Sequence, residues 1–177
     1  EKPVYLSIRD SKVEIRDADL LWGKDTYEVQ EAIQQENRQN GIAGTTRVLG
    51  IGVAGERMLP FALLLCDHGR VAGRTGLGAV MGSKNLKAIA VKGTGKVPVL
   101  DAEAYGPRRA EANRALKNDP LTSVLSSLGS AGAADYLDYL GEQPKKYFSA
   151  GVLEGSDKIS GASVAESILV GKAACHA

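Results

Sequence analysis

Arg70-Val71-Ala72-Gly73-Arg74-Thr75-Gly76-Leu77-Gly78-Ala79-Val80-Met81-Gly82-Ser83-Lys84-Asn85-Leu86-Lys87-Ala88-Ile89-Ala90-Val91-Lys92 is the stretch on which the chain turns. Glycines at 73, 76, 78 and 82 stand among basic residues at 70, 74, 84 and 87, and an alternating apolar segment follows. Without a Cβ, glycine adopts positive φ readily and lets the backbone come close to a neighbour. Consecutive N–H groups in such a bend can cradle an anion, and arginine forks suit phosphate oxygens. The residues therefore support a phosphate cradle running into a strand, and equally a glycine-rich bend that only packs against a sheet. Neither common nucleotide motif fits. Gly82 is followed by Ser83-Lys84 rather than Lys-Ser, and the residues from Cys66 to Arg70 do not read as the strand a dinucleotide fingerprint needs.

With 177 residues the chain can bury one good core and a second, partial one. Its 44% hydrophobic and 24% charged residues are those of an ordinary globular protein. A net charge of +1 argues against a general nucleic-acid or acidic-membrane binder. The longest apolar run, Met58 to Cys66, is far too short to span a membrane. Two cysteines exclude a disulfide scaffold, and Glu1-Lys2-Pro3-Val4 lacks a signal-peptide layout, so a reducing cytoplasm is expected. The start without methionine and the abrupt stop at Cys175-His176-Ala177 read as a piece of a longer polypeptide.

Val4, Leu6 and Ile8, then Val13 and Ile15, predict a hairpin turning at Asp10-Ser11 with one face buried. Asp25 with Glu28 predicts a capping box opening a helix over 26–37. A strand is expected over 45–53, then a buried apolar helix over 56–67 that Pro60 kinks or delays, and a strand over 87–92. Lys84 and Lys87 are assigned to surface or sheet-edge positions. Gly93-Thr94-Gly95 and Pro98 mark a change of composition and a boundary, so domains are expected over 1–96 and 97–177. Beyond it the pattern is helical: Asp101 to about Lys117 with an interruption at Gly106-Pro107, then 121–128, then 133–140, and a last helix opened by Ser163 and Glu166 that runs toward Cys175.

No catalytic set stands out. Two histidines, at 68 and 176, offer little for a triad, and zinc would need more Cys and His at tight spacing. Cys66 reads as a small buried hydrophobe, and Asp135, Asp138 and Glu142 as a solvated helix face.

Ala72 to Ile89, however, resembles the signature of the tungsten-containing aldehyde ferredoxin oxidoreductase family. Leu21-Trp22-Gly23-Lys24 is similar to that family's Leu-Trp-Gly-Lys segment, and Ile51-Gly52-Val53-Ala54-Gly55-Glu56 to its Ile-Gly-Pro-Ala-Gly-Glu turn. Phe148 and the run from Gly155 to Gly161 resemble later segments of the family. The resemblance implies an α+β fold, the end of a β-rich pterin-binding base domain followed by the opening helices of a mostly helical second domain. It implies an oxidoreductase that converts aldehydes to carboxylic acids, with ferredoxin or another electron-transfer subunit as acceptor, in a homo-oligomer or complex. The implied cofactors are a tungstopterin (or molybdopterin) whose phosphates a magnesium ion bridges, and a [4Fe-4S] cluster. Carried onto this sequence, the pterin-phosphate contacts fall on Arg70, Val71, Ala72, Gly73 and Arg74, and the first cluster thiolate on Cys175. The reading from the residues alone that competes with it is a non-catalytic phosphate-binding or partner-binding module using the loop from Arg70 to Lys87.

Overall fold

The computed structural model describes residues 2–173, so Cys175 lies outside the described residues. The chain divides into two units, Glu1–Val97 and Pro98–Ala177.

The predicted hairpin forms from β1 (Val4–Arg9) and β2 (Lys12–Asp17). Asp10 takes a φ of 50° at its tip, a left-handed conformation that aspartate tolerates. Its carboxylate accepts a hydrogen bond from Thr94 N at 2.7 Å, which ties the tip to the residues after β6 (Leu86–Lys92). The buried face is the opposite of the expected one. Tyr5 and Ser7 are buried, whereas Val13 and Ile15 are 58% and 73% exposed. The reason is α1 (Thr26–Gln39), which lies on the Tyr5 side. Its capping box is present as predicted, Asp25 accepting from Tyr27 N and Glu28 N while Glu28 accepts from Asp25 N. Val29 and Ile33 enter the core formed with Tyr5, Val48, Ala88 and Ala90, and such burial stabilises by about 1.5–3 kcal/mol per side chain. The alanines of β6 keep the sheet surface low enough for the helix to approach.

β3 (Arg47–Gly50) ends earlier than its apolar run suggests, and the expected helix over 56–67 does not form. Instead α2 (Val53–Glu56) is one turn, and Leu64–Cys66 becomes β4, paired with β3. Pro60 lies between them. It has no N–H for a helical ladder and disfavours helical backbone just before it. β5 (Arg70–Ala72) pairs with β4, so the segment that did not read as a strand is a hairpin. A short α3 (Leu77–Gly82) then leads into β6. The sheet order is β2-β1-β6-β3-β4-β5, with β1 and β6 parallel and the other neighbours antiparallel. A second cluster, Ile51, Leu64 and Met81 with Leu49, Leu86 and Ile89 against it, joins α3 to the sheet.

The second unit holds α4 (Ala102–Asn118), α5 (Pro120–Leu128), α6 (Gly132–Tyr139) and α7 (Gly161–Ser167). α4 continues through Pro107 rather than breaking there. α7 is capped by Ser160, whose hydroxyl accepts from Ser163 N at 3.0 Å, and it ends at Ser167, so Ile168 and Leu169 lie beyond it. The predicted cap at Ser163 sits three residues too late, since Ser160 takes that role; Gly161 follows it where a Cβ would stand 2.5 Å from Gly132 N. Asp135 and Asp138 are not a solvated face. Asp135 accepts from Gly161 N at 2.9 Å, and Asp138 pairs with the buried Lys145, which holds its carboxyl below the usual carboxylate range. Among the described residues, no helix is long and apolar enough to cross a membrane.

Candidate functional site

Arg70, Val71, Ala72, Gly73 and Arg74 form one exposed run, the first three on the edge strand β5 and the last two just beyond it. A Cβ built on Gly73 meets nothing within 4 Å, so this backbone faces open space. The next two residues make a tight reversal, with φ of 67° at Thr75 and 66° at Gly76. For β-branched Thr75 that conformation is strained, by about 1–2 kcal/mol.

The other glycines of the signature serve packing. A Cβ on Gly76 would stand 2.5 Å from Pro60 O, and one on Gly78 would stand 2.6 Å from Leu63 O and 2.8 Å from Ala62 C. A Cβ on Gly82 would overlap Gly55 O on α2. The packing reading therefore holds for Gly76, Gly78 and Gly82, which seat α3, while Gly73 lies in an exposed run between Arg70 and Arg74.

Lys87 is not at the surface or a sheet edge. Its side chain is 0% exposed and forms an ion pair with Glu56, itself 5% exposed. Lys87 Nζ also donates to Lys24 O at 2.8 Å, and Gly23 N donates to Glu56 Oε1 at 2.9 Å. The Trp22 ring centre lies 6.0 Å from the ammonium, within cation–π range. A bulge explains the burial. Val4 aligns with Leu86 and Tyr5 with Ala88, so Lys87 is the extra residue of β6, and such a residue re-aims its side chain. Reading the pair from sequence was possible in part: a lysine inside Leu86-Lys87-Ala88-Ile89-Ala90-Val91 breaks the apolar alternation of a central strand.

Two other sequence candidates lie beside this edge, Cys66 opposite Arg70 in the β4–β5 ladder and His68 in the turn between those strands. Cys66 is half-buried, and burial, then the neighbouring Asp67, pushes its thiol above the ordinary range. His68 stacks edge-on against Tyr27, with ring centres 4.8 Å apart. Among the described residues, no group of three or more His, Cys, Asp or Glu side chains could hold a metal ion.

Comparison with known proteins places these features. The family described as aldehyde ferredoxin oxidoreductase, N-terminal domain, matches residues 1–93. The chain belongs to the aldehyde ferredoxin oxidoreductase family. It is 40% identical over its whole length to a tungsten-containing aldehyde ferredoxin oxidoreductase of Thermococcus kodakarensis, and 39% identical to the one of Pyrococcus furiosus. It spans 29% of the length of each of these relatives. A solved structure, the active site complex BamBC of benzoyl coenzyme A reductase with 1,5 dienoyl-CoA, superposes with a TM-score of 0.60 at 40% identity. That match covers 66% of this chain and 17% of the other.

Set on the fold, the family-like segments converge. Trp22-Gly23-Lys24, the turn ending at Glu56, and Lys87 meet at the buried ion pair, and Gly55 of that turn packs against Gly78 and Gly82 of the signature. The Gly155–Gly161 segment is structural in its own unit, supplying the Gly155 turn at φ 80° and the Ser160 cap of α7. Arg70 and Arg74 are exposed basic residues on either side of Gly73, and forked guanidinium donors of this kind are chemically suited to phosphate oxygens.

Proposed function

We propose that the Arg70–Arg74 edge grips the phosphate of a metal-bearing pterin within a tungsten (or molybdenum) oxidoreductase of which this chain forms part. The single observation that carries the reading is the division of labour among the signature glycines. Gly76 and Gly78 pack closely against the backbone of 60–63, whereas a Cβ at Gly73, inside the solvent-exposed run from Arg70 to Arg74, would meet nothing within 4 Å. Guanidinium forks bind phosphate in two-point geometry, and the amides of the bend add donors at no charge cost. In this reading Arg70 and Arg74 hold the phosphate, and Val71, Ala72 and Gly73 offer backbone atoms to it and to a bridging magnesium ion.

Residues 1–96 then belong to the β-rich base that seats the cofactor, and 97–177 to the first helices of the next domain. The whole enzyme would convert an aldehyde and water to a carboxylic acid, releasing an electron pair and two protons, with the electrons passing to ferredoxin or another electron-transfer subunit. The bound metal supplies the redox chemistry, while this chain's residues bind and orient the cofactor's tail. Cys175 would contribute one thiolate of a [4Fe-4S] cluster.

Metal analysis of the full-length protein, purified anaerobically, tests the reading. Tungsten or molybdenum together with iron is expected in the wild type, with loss of the tungsten or molybdenum in Arg70→Ala/Arg74→Ala. Phosphate binding without any metal would favour the anion-binding module instead, and full metal content in the double variant would overturn the site.

A further inference from the structure

We infer that the buried Lys87–Glu56 pair is a positioning device for the Arg70–Arg74 edge, an inference that rests on the phosphate-binding reading above. Stability alone is a poor account of this pair. Taking two charges out of water is expensive, and a well-packed apolar pair of similar volume usually does as well. A buried ion pair does, however, specify one arrangement over others, since any displacement leaves a charge without its partner. The structure shows what would be specified here.

Glu56 closes α2 and is the last residue before the irregular segment 57–63. That segment contains Met58 at a φ of 53°, hangs from α2 through Arg57, Met58 and Leu59 N–H groups that donate to Val53, Gly55 and Ala54 carbonyls, and touches α3 at its far end. Ala62 O accepts from Gly78 N at 3.0 Å, and Pro60 O sits where a Cβ on Gly76 would lie. Gly76 is the second residue of the strained reversal that follows Arg74. Strained backbone persists only where its surroundings over-determine it. Pro60 of segment 57–63 is part of those surroundings, and the segment is anchored on α2, which Glu56 closes.

Lys87 in turn is the bulge residue of a central strand, so the cation is supplied from the interior of the sheet rather than from its edge. It reaches Lys24 O as well, which brings the Trp22-Gly23-Lys24 bend into the same unit. The line of contact thus runs from β6 through Lys87 and Glu56 to segment 57–63, then to Gly76 and the arginine edge. Lys87 and Glu56 touch no ligand in this scheme; they set where the edge stands.

Hydrogen–deuterium exchange and tungsten content of the full-length, anaerobically purified protein test the inference. Lys87→Met/Glu56→Met removes both charges while keeping volume. Its amides in 57–63 and 70–76 should exchange about tenfold faster than in the wild type, β1 should be unchanged, and tungsten per chain should fall in parallel. Lys87→Gln/Glu56→Gln keeps hydrogen-bonding groups at both positions and should restore exchange and tungsten content. Wild-type exchange over 70–76 in the methionine variant overturns the inference, and so does an equal rise in β1, which would make the pair a general core element. If the methionine variant does not fold, the wild type in low denaturant decides: 22–24, 57–63 and 70–76 should open together with one denaturant dependence, and separate openings refute the scheme. The two levels separate cleanly. Tungsten retained in Arg70→Ala/Arg74→Ala sinks the phosphate reading, whereas tungsten lost there and kept in the methionine variant, with wild-type exchange, sinks the positioning role alone.

Discussion

Replacing Gly78 by alanine puts the packing account of the glycine signature to a quantitative test. The added Cβ would stand 2.6 Å from Leu63 O, 2.8 Å from Ala62 C and 2.9 Å from the Ala62 side chain, all inside the 3.0 Å that real Cβ atoms keep. Two of these atoms belong to backbone that Gly78 N itself holds through Ala62 O, so rotating a side chain cannot relieve the clash. Overpacking of this kind costs about 2–3 kcal/mol. Gly78 lies inside α3, where alanine is the better helix former by about 1 kcal/mol, which offsets part of that cost. The net destabilisation is about 1–2 kcal/mol, which corresponds to roughly tenfold faster exchange of the α2–α3 amides by local opening. Native-state hydrogen exchange on the full-length protein reads this directly, with Gly73→Ala as the control. A Cβ at 73 meets nothing, so that control should leave the amides unchanged and affect only retention of the phosphate ligand. If Gly78→Ala exchanges no faster than the wild type, the signature glycines are not there to seat α3 and the division of labour falls.

Val53 occupies the first position of α2, where proline's fixed φ and missing N–H suit a helix start, so Val53→Pro should stabilise by about 0.5–1 kcal/mol. A lower thermal midpoint for that variant would show that Val53 N–H has a needed partner. Glu14 is held down to about 2, first by Lys12 and then by Arg16. A carboxylate whose folded pKa is depressed stabilises above its unfolded value, and that contribution disappears as pH falls from 4.5 toward about 2. Protection of the β1–β2 amides should therefore fall through that window in the wild type and less steeply in Glu14→Gln; identical acid profiles would count against the assignment. Val13 and Ile15 share a face with the half-buried Leu6 and Ile8, so the 177-residue chain expressed alone should associate, and Val13→Thr/Ile15→Lys should raise its monomer fraction in light scattering. A monodisperse, monomeric wild-type chain would contradict this.

Much of the molecule is written locally. The hairpin at Asp10-Ser11, the Asp25–Glu28 capping box and the helices over 120–128 and 132–139 follow from turn chemistry, caps and periodicity, which neighbouring residues determine by themselves. The glycine-rich bend after Arg70 was legible as a bend too, because glycines at 73, 76 and 78 mark tight turning and close approach by identity alone. What the sequence could not determine was which side of each strand would be dry. A period of two marks alternation but not direction, and only the docking of α1 selects the Tyr5, Ala88 and Ala90 face over the Leu6, Ile8 and Ile89 face. The apolar run over 56–67 could be helix or strand until β3 offered Leu64–Cys66 a ladder of hydrogen bonds. Gly73 and Gly78 look alike in a string of letters, and what divides the exposed glycine from the packing seat is whether backbone lies opposite it. Lys87, too, reads as a surface residue until a bulge in a central strand turns it inward to meet Glu56, a partner 31 residues away. Local rules act over a few residues, whereas burial and charge pairing depend on which distant segments fold against one another.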